Sequence, residues 1–227
     1  MSKRAVTKEY EQEQVEDMNE QKKNDLSSLP LEGVFDKDLQ ENIVGSERLY
    51  HGRILDLERL QVSLPDGVVQ TREVVRHHGG AAILALNAEG EVLLVRQFRA
   101  ATGEILCEIP AGKLEPDEDP LICAQRELAE ETGYHAKKWQ KLSAMFPSPG
   151  YTSELLHLYL AEELSPGEQH LDQGEFLHAF RLPFCEALKW VEGGRICDAK
   201  SALALLQTAM ILQKRQEAEK NTMRHMK

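Results

Sequence analysis

Cysteine is sparse, positive charge is in deficit and long apolar runs are missing. The four cysteines, Cys107, Cys123, Cys185 and Cys197, form no CxxC pair, which argues against a paired-cysteine metal or redox motif and favours reduced thiols. Lys and Arg total 27 against 38 Asp and Glu, a formal net charge of −11, which argues against broad electrostatic attraction to nucleic acid or an anionic membrane. An anionic substrate would need local help, from metal ions or a few placed arginines. No apolar run approaches the ~18 residues that span a bilayer, and the polar, charged N-terminus reads as no signal peptide. A cytoplasmic protein is expected, without nucleic-acid or membrane partners.

With 227 residues, 41% of them hydrophobic, the chain is long enough for one sizeable core and a small appended element. Residues 1–40 read as a charged, flexible tail. The loose helical spacing of Val6, Tyr10, Val15 and Met18 leaves a partner-docking helix as the alternative. Residues 41–75 read as an N-terminal β-strand region: Leu60, Val62 and Leu64 alternate with polar residues, Pro65-Asp66-Gly67 supplies turn chemistry, and Val68–Arg76 returns. Ala81–Leu86 and Glu91–Arg99 flank Asn87-Ala88-Glu89-Gly90 as a second hairpin, and Glu104–Ile109 adds a strand.

Next comes a well-delimited helix, with Asp119 as N-cap, Pro120 at the first position and Gly133 as C-cap. Leu121, Ala124 and Leu128 form its core face. Strands at Trp139–Met145, Glu154–Ala161 and Phe176–Leu182 follow. A helix over Pro183–Glu192 ends at Gly193-Gly194, and another after Asp198 carries Ala202, Leu205, Leu206, Ala209 and Leu212. The catalytic domain is placed at 76–213 and a polar C-terminal tail at 214–227. The pattern is α+β, an α/β/α sandwich with no internal repeat.

Chemistry concentrates at Gly112, Glu118, Arg126, Glu127, Leu128, Glu130, Glu131, Gly133 and Tyr134. On a helix Glu127 and Glu131 share one face with Glu130 beside them. Each like-charge pair costs about 0.2–0.5 kcal/mol on an exposed helix, and the negative end of the helix dipole adds to the cost. A bound cation would reverse the sign, and hard oxygen ligands suit Mg²⁺ or Mn²⁺. A solvated glutamate-rich face is the bland alternative.

Five residues separate Gly112 from Glu118 and seven separate Glu118 from Arg126, where Arg-Glu-Leu-x-Glu-Glu-x-Gly-Tyr follows without a break. This arrangement resembles the box of the Nudix hydrolase family at every fixed position. The resemblance implies the Nudix fold, a loop–helix–loop packed on a mixed sheet, and a Mg²⁺-dependent pyrophosphohydrolase. It makes Glu127 and Glu131 the principal metal ligands, Glu130 a shared ligand and the Ala111 carbonyl a backbone ligand. It has Arg126 orient the carboxylates, Glu118 pair within the loop and Gly112 permit a tight backbone path.

Flanking residues bear on the substrate. Ser148-Pro149-Gly150, Arg96-Gln97-Phe98-Arg99, Glu108-Ile109-Pro110-Ala111-Gly112 and Arg72-Glu73 ahead of His77-His78-Gly79-Gly80 resemble the ADP-ribose pyrophosphatase subfamily over roughly residues 46–210. By that resemblance Arg72 and Arg99 contact phosphate or ribose, Glu108 accepts from adenine or a ribose hydroxyl, and Pro149 and Tyr151 shape the pocket. Glu175 aligns with a loop carboxylate that binds metal or serves catalysis. Gln173 stands where some relatives carry an acid, so Glu175 and Asp172 both remain candidates for activating water. His77-His78 lacks a third ligand and is given no metal role. The implied reaction is hydrolysis of ADP-ribose to AMP and ribose 5-phosphate. GDP-mannose or NADH as substrate, and a non-catalytic ADP-ribose-binding module, are the alternatives. A homodimer is expected by resemblance.

Overall fold

The computed structural model describes residues 39–52 and 54–225. The N-terminal tail expected over residues 1–40, in either of its two readings, lies outside the described residues except for 39 and 40.

Two compact units are present. The smaller comprises, among the described residues, 39–44 and 62–70. Its centre is the Pro65-Asp66-Gly67 turn, where the Gly67 N–H donates to the Leu64 carbonyl and the Leu64 N–H to the Val68 carbonyl, both at 2.9 Å. Asp66 accepts from the Val68 N–H at 2.9 Å, and Gly67 supplies the positive φ of 83° that the turn requires. The turn joins β2 (Asp56–Ser63) to β3 (Val69–Arg76), which with β1 (Asn42–His51) form a three-stranded sheet in the order β1-β2-β3.

The larger unit takes in Gly45–Gln61 and the chain from Thr71. At its centre lies β4 (Gly80–Ala85), with all six residues buried. It pairs antiparallel with β7 (Ala111–Lys113) on one edge and parallel with β9 (Leu156–Pro166) on the other, and β8 (Tyr134–Met145) completes the order β7-β4-β9-β8. A strand covered on both faces needs an unbroken apolar run, and Gly-Ala-Ala-Ile-Leu-Ala supplies one. Ala81, Ile83 and Ala85 pack with Cys123, Ala124 and Leu128 of helix α1 (Pro120–Thr132). Ala82, Leu84 and Leu86 pack on the opposite face with Ile196, Ala204 and Leu205, the last two from helix α3 (Ala199–His225). This is the expected α/β/α layering. In α1, Cys123 shares the buried face with Ala124 and Leu128, whereas Leu121 is only half-buried.

The second hairpin is not formed. Asn87 makes a tight turn, its N–H donating to the Glu91 carbonyl and its side chain accepting from the Glu91 N–H, but pairing stops at the single Leu86–Val92 bridge. Both edges of β4 are already taken by β7 and β9, so β5 (Glu91–Arg99) departs to a separate antiparallel sheet, in the order β10-β5-β6, between β10 (Leu177–Pro183) and β6 (Glu104–Glu108). Helix α2 (Phe184–Glu192) follows directly and ends at Gly193.

Helix α3 begins after Asp198, whose carboxylate accepts from the Ser201 N–H at 3.0 Å. It does not stop where its apolar face does: it runs to His225 through residues assigned to a polar tail. Arg215 in that stretch grips Glu162 of β9 with two nitrogens at 2.6 and 3.0 Å. Among the described residues no helix is long and apolar enough to cross a membrane.

Candidate active site

Helix α1 is held at both ends by the residues its sequence advertises. Asp119 accepts from the N–H groups of Leu121 (2.8 Å) and Ile122 (3.2 Å), and Pro120 occupies the first turn where no N–H is needed. Gly133, at φ 71°, donates its N–H to the Ala129 carbonyl.

Arg126 is the hub of the helix surface. Its Nε and Nη2 donate to the two oxygens of Glu118 at 2.9 and 3.0 Å, its Nη1 to Glu127 at 2.7 Å and Glu130 at 3.0 Å, and its Nη2 also to the Lys113 carbonyl at 3.1 Å. Its planar fork suits this set of acceptors. Glu118 also accepts from the Glu115 N–H, and Arg126 holds its carboxyl below the usual carboxylate range. Arg126 thus bridges Glu118 of the loop to Glu127 and Glu130 of the helix.

Glu131 has 2% of its surface exposed, and its Oε2 accepts from the Ala111 N–H at 3.0 Å. Burial, followed by the charge of Glu127, raises its pKa to about 8. Burial also raises that of Glu127, with Glu130 and Glu175 adding to it against Arg126. Glu175, in the loop before β10, thus acts electrostatically on both helix glutamates, and its Oε1 lies 3.5 Å from the Gln97 amide. A Cβ at Gly112 would fall 1.8 Å from the Glu127 carboxylate, so any larger residue there would occupy the space Glu127 needs. Ala111 meets this cluster through its N–H. Among the described residues no three acidic, His or Cys side chains converge on one point, since Arg126 holds Glu127 and Glu130 while Ala111 holds Glu131.

A second charged group lies alongside. Arg99 grips Glu108 with Nε and Nη2 at 2.8 and 2.9 Å. Glu108, 2% exposed, is also bonded by Lys200, which pairs with Asp198 at 2.9 Å. Burial would raise the Glu108 pKa, but Arg99 and Lys200 together pull it down to about 2. Ser201 ties this group to the sheet by accepting from the Ile109 N–H at 2.9 Å. Both Glu108 oxygens are occupied by protein cations, which makes it an anchor for Arg99; Arg99 is itself within electrostatic range of Glu131. Lys200 and Ser201 went unread because their partners Glu108 and Ile109 stand 92 positions earlier.

The proline turn is stitched to β3: the Val75 N–H donates to the Tyr151 carbonyl at 2.7 Å, and the Ser153 N–H to the Val75 carbonyl at 2.9 Å. Pro149 sits in that turn, and the Tyr151 ring is largely exposed. Arg72 lies half-buried on β3 and donates to the Thr71 carbonyl. His77 accepts from the Gly79 N–H through Nδ1 and lies 3.7 Å from Glu154.

The NUDIX domain family model matches residues 76–200, which span the helix, its carboxylates and the Glu108–Lys200 group. The chain belongs to the Nudix family. An ADP-ribose pyrophosphatase of Bacillus subtilis (strain 168) is 44% identical over 171 residues, covering 74% of this chain and 92% of that protein. A methanol dehydrogenase activator of Bacillus methanolicus is 39% identical over 168 residues, covering 73% and 91%. The fold is similar to that of a crystal structure of an ADP compounds hydrolase, with TM-score 0.70 and 24% identity over 79% of this chain and 98% of that one. The protein is a Nudix pyrophosphohydrolase.

Proposed function

We propose that this Nudix enzyme hydrolyses the pyrophosphate bond of a nucleoside diphosphate sugar, with ADP-ribose as the preferred substrate and Mg²⁺ as the cofactor. One observation carries the metal assignment: Glu131 is buried beside Glu127, where like charge and burial oppose ionisation, and Gly112 leaves open the space that Glu127 occupies. A hard divalent cation is the partner this donor set suits, with Glu127, Glu130, Glu131, Glu175 and the Ala111 carbonyl to hold it. When bound, it supplies charge neutralisation for the pyrophosphate and a more acidic water.

The chain's own residues do the rest. Arg126 keeps Glu127 and Glu130 oriented until they are needed. Arg99, anchored by Glu108, offers its remaining nitrogen to a phosphate oxygen, and Arg72 and the Pro149–Tyr151 turn border the sugar and base. Glu175, whose charge reaches both helix glutamates, takes the proton as a water oxygen attacks one phosphorus. The bridging P–O bond breaks, and AMP and ribose 5-phosphate leave. The complete carboxylate set favours catalysis over a purely binding role.

A panel of ADP-ribose, GDP-mannose and NADH with Mg²⁺ tests this reading. ADP-ribose is expected to give AMP and ribose 5-phosphate at a kcat/KM about 10-fold above the others. GDP-mannose in first place would reassign the substrate, and no turnover of any would overturn the hydrolytic reading.

The four free cysteines fit a reducing compartment, the cytoplasm. We also propose a homodimer, consistent with β1, whose residues are exposed except for half-buried Gly45. Sedimentation is expected to give twice the monomer mass; a monomer at micromolar concentration would count against the dimer.

A further inference from the structure

The last turn of α1 carries the carbonyls of Glu130, Glu131 and Gly133, which have no onward helical partner. One loop satisfies all three. The Gly167 N–H donates to the Gly133 carbonyl at 2.5 Å, the Gln169 side-chain amide to the Glu131 carbonyl at 2.5 Å, and the His170 N–H to the Glu130 carbonyl at 3.1 Å. The fit at Gly133 is close, since a Cβ there would come within 2.9 Å of the Gln169 nitrogen. From this cap the chain runs through Leu171 into a turn in which the Glu175 N–H donates to the Asp172 carbonyl at 3.0 Å. The Glu175 carboxylate then meets Gln97 of β5 before β10 begins. The segment is therefore tied at one end to the helix that carries Glu127 and Glu131, and at the other to the sheet. Of the three capping contacts, only that of Gln169 is made by a side chain, from an otherwise exposed residue.

Resting on the reading of these carboxylates as the metal-binding set, we propose that Gln169 is a positioning residue. By donating to the Glu131 carbonyl it sets the separation between Glu175 and the helix glutamates. A donor is needed at this point because the carbonyl end of a helix carries partial negative charge and the neighbouring side chains are acidic. An amide or a cation supplies one, whereas a methyl group or a carboxylate does not. The consequence falls on cation affinity, because Glu175 and the helix glutamates must meet one ion together, while a contact made by an exposed side chain contributes little to the fold.

The test is direct Mn²⁺ titration, by electron paramagnetic resonance, of full-length wild type, Gln169→Ala, Gln169→Glu and Gln169→Lys, with melting temperatures and ADP-ribose kinetics alongside. Gln169→Ala is expected to weaken Mn²⁺ binding about 10-fold, in the range of partners that orient metal ligands, with KM for ADP-ribose unchanged. Gln169→Glu should weaken it further, and Gln169→Lys should restore it to near the wild-type value. Glu168→Ala in the same loop serves as the control and should leave binding unchanged. Wild-type Mn²⁺ affinity in Gln169→Ala would overturn the proposal, as would a loss that Gln169→Lys fails to restore or one matched by Glu168→Ala. Failure of wild type itself to bind Mn²⁺ would instead overturn the carboxylate reading on which the proposal rests.

Discussion

Glu131→Gln is expected to lower turnover about 10³-fold while leaving a folded protein. Glutamine preserves the shape of the side chain and an oxygen for the Ala111 N–H, which the carboxylate receives at 3.0 Å, so only the charge is removed. The same substitution should make the protein more stable at alkaline pH without divalent cations. The wild-type Glu131 pKa is raised to about 8 by burial and by Glu127. A carboxyl raised in the folded state contributes its stability below the ordinary carboxylate range and loses it as pH rises through the folded value. Wild type should therefore weaken between about pH 5 and pH 8 in chelator, Glu131→Gln should not, and added Mg²⁺ should rescue wild type alone. Thermal melts across that range, with ADP-ribose turnover at one pH, separate the effects. Full turnover in Glu131→Gln would remove the residue from the metal set.

Glu108→Gln should produce the largest loss of stability, about 3–5 kcal/mol, because removing one member of a buried ion group leaves the other uncompensated. Lys200, 8% exposed, would retain Asp198 but face an amide that cannot balance its charge. The sign with pH is opposite to that of Glu131. Arg99 and Lys200 hold Glu108 at about 2, so its stabilisation is present above the ordinary carboxylate range and is lost as pH falls through about 2. Denaturant unfolding should show a smaller penalty at pH 3 than at pH 7. Turnover should also fall, since Arg99 loses its anchor. An unchanged midpoint at pH 7 would rule out the buried group as an element of stability.

Local chemistry was legible where cause and effect lie close together in the chain. Asp119, Pro120 and Gly133 delimit α1 because capping acts over three or four residues. Contacts made at a distance were not legible. Asn87 and Gly90 read as a hairpin because the turn is real, but the occupant of each edge of β4 is decided by Ala111 and Leu156, which no local pattern reveals. Glu108 read as a ligand contact because its cations, Arg99 and Lys200, come from different elements, one of them a distant helix. The polar run after Leu212 read as a tail because the partner of Arg215, Glu162, lies on a remote strand.

The parallel pairing of β4 with β9 bears on vectorial synthesis. Gly80–Ala85 emerges as a wholly apolar strand, and β7 covers one of its edges soon afterwards. The other edge waits for Leu156, and the underside waits for Ala204 and Leu205. A nascent chain halted between Tyr134 and Leu156 would carry a complete carboxylate helix above an unpaired strand edge, which is a template for aggregation. Truncations ahead of Asp198 would in addition lack Lys200, one of the two cations on Glu108. The helix that carries the chemistry is thus made early, while the layer that covers the opposite face of β4 is closed only by α3, which is synthesised after it.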